Sequence, residues 1–325
     1  MHDFVDYAIG IAAMFISTTY GGPTVLYTLL PGMAFHFISE DTRAIAGIEL
    51  CVKNFLRTGV ALLGARITAE ELSHLTVGSV TVLVTGVFAT VAFSMLVNRK
   101  IKWPRAEGAL AGASVAICGA SAAAALALVI DKKALREQAL LAIIVTVTAL
   151  STISMVLYPL LCELLGFEGP KAGFLLGGTI HDVAQVVGAG AMLGNDALQT
   201  TTMTKMFRVA MLIPMMFVFT YLFAVKDADG AAHTPKTVNP FTQIPLFLVG
   251  FVVLSGLIVA DFIPVAVSDT LAKASQLLVL IVMGALGIKT SLGKFKAVGW
   301  APIVLMPLNT VFLFEWVLAG ILLVG

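Results

Sequence analysis

The chain has 325 residues, of which 59% are hydrophobic and 12% charged, with a mean hydropathy of +0.99 and a formal net charge of +1. No soluble globular domain of this length approaches those values, and a near-neutral chain without a Lys/Arg-rich tract offers no field for nucleic acid. What remains is an all-α polytopic membrane protein.

Hydropathy marks eleven candidate membrane segments, near 5–19, 22–39, 45–66, 77–97, 107–130, 138–162, 171–192, 203–224, 241–260, 268–288 and 298–323. The first is expected to be a span and not a signal peptide, because Asp3 and Asp6 stand where a basic leader would be. The longest polar connection, Lys226 to Pro240, has no room for a soluble domain, so residues 1–325 read as one membrane domain. Cys51, Cys118 and Cys162 are far apart and lack a C-x-x-C pairing, which points to packing and to neither disulfides nor a metal site. No cofactor is expected.

On the third segment, Glu49, Lys53 and Arg57 recur every four residues and share a helix face. Snorkelling toward headgroups would explain them, but their depth favours a charge network. Basic residues then cluster in three loops: Arg99 to Arg105, Lys132 to Arg136, and Lys289 to Lys296. If every segment crosses, the middle loop falls on the wrong side for a positive-inside arrangement. All three share the cytoplasmic side if the fifth segment is a re-entrant hairpin from that side and the seventh a hairpin from the other. That leaves nine spans and two opposed hairpins; two broken helices that cross fully are the competing arrangement.

The fifth segment is almost all small residues from Gly112 to Ala125, which suits close helix packing. At its centre Cys118-Gly119-Ala120-Ser121 offers a glycine kink, free backbone N–H groups and a hydroxyl. The seventh segment carries Gly177-Gly178 followed by His181, Asp182 and Gln185 within an apolar run. An Asp at a membrane helix centre costs about 2.5–3.5 kcal/mol by insertion scales, so these groups must face protein or water. The glycine pair suggests a helix that stops and restarts, placing His181 and Gln185 on one face of the new first turn, where free N–H groups and the helix dipole favour an anion. His181, with an unperturbed pKa near 6.5, is the group expected to link binding to pH. Lys205 and Arg208 share a face at the start of the eighth segment, where snorkelling and a functional role are both open.

Leu62-Leu63-Gly64-Ala65-Arg66-Ile67-Thr68 resembles Ala285-Leu286-Gly287-Ile288-Lys289-Thr290-Ser291, and an odd number of chain reversals separates them. This predicts inverted repeats over about 20–162 and 170–325, an architecture of alternating-access transporters.

Four stretches, Gly59 to Arg66, Ala116 to Ala122, His181 to Val187 and Lys205 to Val209, resemble the YeiH-type sulfate exporter family of bacteria, over a length from about Pro31 to the C-terminus. The resemblance implies a multi-pass protein of the bacterial inner membrane, distantly related to the cation/proton antiporter and bile-acid symporter superfamily. Inverted repeats, a core domain moving against a scaffold and a homodimer are the corresponding expectations. The function expected is secondary transport, as an exporter, of a small anion such as sulfate, sulfite or a sulfonate. Cys118, Gly119, Ala120, Ser121, His181, Asp182 and Gln185 would bind the substrate. No Walker A sequence is present to couple ATP. Expelling one negative charge from a cell negative inside gains about 2.3 kcal/mol per 100 mV, whereas uptake would need coupled H⁺ or Na⁺. The alternative is a cation/proton antiporter using Asp182. An intramembrane hydrolase built on Ser121 and His181 lacks the G-x-S-x-G and H-E-x-x-H patterns, so no enzyme is expected.

Overall fold

The computed structural model describes residues 54–67, 76–131, 134–223, 225–226, 232–233, 245–289 and 300–324. The two N-terminal segments, Glu49 and Lys53 therefore lie outside the described residues. The elements are helices α1 (Leu56–Leu63, continued by a 3₁₀ turn Gly64–Arg66), α2 (Val77–Ile101), α3 (Arg105–Ala116), α4 (Ala120–Ala127), α5 (Glu137–Leu164), α6 (Gly169–Thr179), α7 (Val183–Met192), α8 (Asn195–Ala210), α9 (Leu212–Phe223), α10 (Leu246–Val259), α11 (Val265–Lys289) and α12 (Trp300–Val324). A two-residue antiparallel pair, Val225–Lys226 with Ala232–His233, follows α9. The protein is an all-α polytopic membrane protein: α2, α5, α8 with α9, and α12 are each long and apolar enough to cross a bilayer.

Local chemistry sets the helix ends. Thr76 caps α2 by accepting from the Ser79 N–H at 3.1 Å, and Arg99 and Lys100 in its last turn complement the dipole. Pro104 starts α3, Pro170 sits in the first turn of α6, and Asp182 caps α7 by accepting from the Ala184 N–H at 2.8 Å. Within the spans several hydroxyls bond back one turn, as Thr90 does to the Gly86 carbonyl at 2.7 Å, so these need no water.

Small residues fix how the helices lie. Gly108 and Gly112 of α3 press on Asn98 and Ser94 of α2, and the Ser94 hydroxyl donates to the Gly108 carbonyl at 2.7 Å. The small-residue stripe of the fifth segment therefore packs a helix as well as permitting a break. Beside α3, α12 also packs on α2 and runs antiparallel to it. Asn309 donates to Ser94 at 2.9 Å, Phe312 stacks on Phe93 with centroids 4.3 Å apart, and Gly86 and Gly320 admit Trp316 and Val82.

The same contacts decide how the interrupted segments run. Gly173, near the start of α6, lies against Ala197 and Thr200 of α8, while Gly190, near the end of α7, lies against Leu198 and Thr201. Both ends of the pair thus sit at one level of α8, so α6 and α7 form a re-entrant hairpin. The pair α3 and α4 does likewise from the opposite side. Arg136, which opens α5, returns to Glu107 in the first turn of α3, with its backbone N–H donating at 3.1 Å and its guanidinium at 2.8 and 2.6 Å. At 1.5 Å per residue, α3 and α6 reach roughly 16–18 Å inward, about half of a ~30 Å hydrocarbon core. Their tips meet near the midplane. Lys102, Arg136 and Trp300 border one recess, which puts the end of α2 and the starts of α5 and α12 on a single face.

A second group packs beside this core. Gly64 touches the Phe251 carbonyl of α10, and Ser268 and Ser275 of α11 donate at 2.6 Å each to the Ala65 and Gly59 carbonyls of α1. The pairing of 65 with 268 and 59 with 275 makes α1 and α11 antiparallel, so the two similar Leu-Gly stretches point to opposite faces.

Candidate functional site

The site grows from the two hairpin tips. At the first, α3 stops at Ala116 and Gly119 takes φ +64° and ψ −128°, a conformation that residues with a Cβ scarcely adopt, before α4 begins. At the second, α6 stops at Thr179, and Ile180 and Asp182 are extended before α7 begins. The tips touch: a Cβ on Gly119 would lie 3.7 Å from the His181 Cβ.

Each break leaves backbone carbonyls that lipid cannot satisfy. Two cations of α8 take up that task. The fully buried Lys205 ammonium donates to the Ile117 carbonyl at 2.8 Å, to Ile180 at 2.9 Å and to His181. The Arg208 guanidinium donates to Ala116 through Nε at 3.0 Å and Nη2 at 2.7 Å, to Val115 at 3.0 Å, and to Gly177 and Ile180 at 3.0 Å each. Six carbonyls, three from each tip, are thereby held by two side chains, and positive charge meets the negative dipole ends of α3 and α6. Snorkelling is excluded for both residues by their depth.

His181 is also fully buried. Its Nδ1 lies 3.1 Å from the Val115 carbonyl, which can only accept, so Nδ1 carries a proton. Its Nε2 lies 3.0 Å from the Thr310 hydroxyl of α12, which is itself 2.9 Å from the Met306 carbonyl. With neutral imidazole, Thr310 donates to Nε2. With imidazolium, Nε2 donates to Thr310, whose hydroxyl turns to Met306. One hydroxyl rotation satisfies both protonation states.

Asp182 is half-buried and interacts electrostatically with Lys205 and with the buried Cys118. Its backbone N–H donates to Ser151 Oγ at 2.9 Å; Ser151 donates to Gln185 Oε1 at 3.3 Å, and Gln185 Nε2 donates to Thr152 Oγ1 at 3.4 Å. The polar centre of α5 is thus joined to the second tip. Ser121 is exposed, and its hydroxyl donates to the Cys118 carbonyl at 2.9 Å with the thiol 3.1 Å away. Ala120 is half-buried.

Some expectations need correction. Gly177 and Gly178 do not make the break; they lie inside α6, where a Cβ would meet the Thr201 carbonyl or Val317, and they serve close packing. His181 precedes the cap of α7, so it shares no helical face with Gln185: one turns to α12, the other to α5. Arg57 is exposed on α1, and Glu49 and Lys53, the other members of its expected charge network, lie outside the described residues. Thr310, Ser151 and Thr152 escaped the sequence reading because single hydroxyl residues in apolar helices are common and gave no spacing signal.

Comparison with known proteins places the chain. A family model described as conserved hypothetical protein 698 matches residues 5–306. The chain belongs to this family. Its curated relatives are called UPF0324 membrane proteins. The UPF0324 membrane protein TauZ of Paracoccus pantotrophus is 43% identical over 99% of this chain and 94% of its own length. One from Rhizobium meliloti is 39% identical over 99% and 92%, and one from Chlorobaculum tepidum 39% over 96% and 86%. No solved structure matches the chain. The four motifs of the UPF0324 chain that carried the family resemblance include both hairpin tips and the α8 pair that braces them, which gives the resemblance a physical basis.

Proposed function

We propose that the protein is a secondary transporter, working as an exporter, for a small anion of the sulfate, sulfite or sulfonate class. One observation carries this reading: the two buried cations at the meeting point of opposed hairpins. Lys205, whose three carbonyl acceptors call for all three ammonium protons, and Arg208 contribute two positive charges and Asp182 one negative. The C-terminal ends of α3 and α6, at about half a negative charge each, offset the N-terminal ends of α4 and α7, at about half a positive charge each. The midplane is left with about one positive charge, which calls for an anion and weighs against a cation/proton antiporter built on Asp182 alone.

Asp182 already caps α7, whereas Gly119 gives α4 no side-chain cap. The N–H groups of Ala120 and Ser121, with the exposed Ser121 hydroxyl, are the natural anion ligands, and Gln185 and Asp182 border them. Alternating access would come from movement of the hairpin core against α1, α10 and α11. Between α8 and α10 lies an apolar gap of about 420 Å³ edged by Met203, Met206, Phe207 and Gly256, a soft surface suited to sliding. With the basic loops cytoplasmic, the inside-negative potential drives anions outward.

The test is flux in liposomes of defined orientation. Purified protein should release preloaded labelled sulfate, sulfite or a small sulfonate when the interior is made negative, and Ser121→Leu should slow release at least tenfold. Release of Na⁺ in exchange for protons, with no anion movement, would replace this reading by the antiporter.

A further inference from the structure

At the basic face the ends of α2, α5 and α12 enclose a recess of about 520 Å³, separate from the hairpin tips. We propose that it holds the phosphate headgroup of an anionic phospholipid of the cytoplasmic leaflet.

Its position is that of the bilayer boundary, since it is bordered by the last residue of α2 and the first residues of α12. Two of the three tryptophans of the chain, Trp103 and Trp300, border it, as interfacial aromatic belts do. Lys102 and Arg136 supply the cations. Arg136 is aimed by the fully buried Glu107 while its side chain stays 62% exposed, and Glu107 holds the guanidinium above its ordinary pKa, so the charge is permanent. Lys102 takes the left-handed conformation, φ 60° and ψ 28°, at the end of α2, where glycine is the usual choice. Its N–H donates to Asn98 at 2.9 Å, and Asn98 holds the Trp103 carbonyl at 2.9 Å.

The charge is local: residues 99–107 and 136–137 carry Arg99, Lys100, Lys102, Arg105 and Arg136 against Glu107 and Glu137, three positive charges in excess. Lys102, Arg136 and Gln138 give the recess polar lining, and an apolar wall includes Ile101 and Ala142. A soluble phosphate would leave that apolar wall bare, whereas a phospholipid covers it with glycerol ester and the first acyl methylenes.

The probes are phosphatidylglycerol, phosphatidylcholine and soluble glycerol phosphate, added to purified full-length protein and read by native mass spectrometry and by Tm. Phosphatidylglycerol should be retained at one molecule per chain and raise Tm, while phosphatidylcholine does neither. Lys102→Gly removes the cation and suits the backbone, so it should keep or raise the lipid-free Tm while weakening phosphatidylglycerol retention at least fivefold. Trp300→Ala should weaken retention with the charge intact. Equal retention of both lipids, unchanged retention in Lys102→Gly, or glycerol phosphate stabilising as well as the lipid would each overturn the assignment.

Discussion

Arg208→Met is the change that tests the central brace most directly. Methionine has nearly the length of arginine and no donor, so the cavity stays filled while five hydrogen bonds disappear. Their loss is unevenly felt. Val115 keeps its bond from His181, and Ile180 keeps Lys205. Ala116 loses two Arg208 bonds and Gly177 its one. At about 1–3 kcal/mol for each buried carbonyl left without a donor, the destabilisation is about 2–6 kcal/mol. Removing a buried cation recovers part of its desolvation cost, which pulls the value toward the lower end.

At roughly 2–4 °C per kcal/mol, thermal unfolding of the detergent-solubilised variant should fall by roughly 5–20 °C. Arg208→Lys separates charge from geometry: it retains the cation but has one nitrogen in place of a fork reaching both tips, and it should lie between wild type and Arg208→Met. An Arg208→Met protein that unfolds at or above the wild-type temperature would refute the reasoning. It would mean that water already serves these carbonyls, or that burying the charge costs more than its hydrogen bonds return.

Two further outcomes follow from the geometry. Gly256 on α10 borders the apolar gap, and a Cβ there would meet nothing within 4 Å; Gly256→Leu should raise Tm by filling space while slowing anion flux severalfold, and undiminished flux would show that the gap does not change during transport. Protonation of His181 adds positive charge beside the anion site, so any gain in anion affinity as pH falls should run through this ring. Thr310→Val removes the rotating hydroxyl that serves both ring states and should flatten this dependence, as His181→Gln should; a profile identical to wild type in both variants would assign His181 a purely structural role.

Much of the helical layout was legible because lipid leaves few alternatives: apolar runs of span length fixed α2, α5 and α12 to within a few residues. Loop charge favoured the hairpins only mildly over broken helices that cross fully. A middle basic loop that fits inside only if the fifth segment turns back agrees with the return of Arg136 to Glu107 and with the matching levels of Gly173 and Gly190 on α8. Sequence could not reveal why each glycine is present. Gly177 looked like a hinge beside His181, yet its absent side chain makes room for the Thr201 carbonyl of α8. Gly119 is the glycine that the break itself requires.

The partners of Lys205 and Arg208 were illegible for a deeper reason. A search for buried cations looks for carboxylates, and here the bonds of both residues run to backbone carbonyls, which carry no sequence signature. That choice of partner has a functional consequence. A carboxylate for each cation would leave no surplus, whereas here Asp182 offsets one of the two and the C-terminal ends of α3 and α6 are offset by the N-terminal ends of α4 and α7. Bracing both tips with lysine and arginine therefore holds the breaks open and keeps excess positive charge in the middle of the membrane. Under the proposed function, architecture and attraction for an anion thus come from the same two residues of α8.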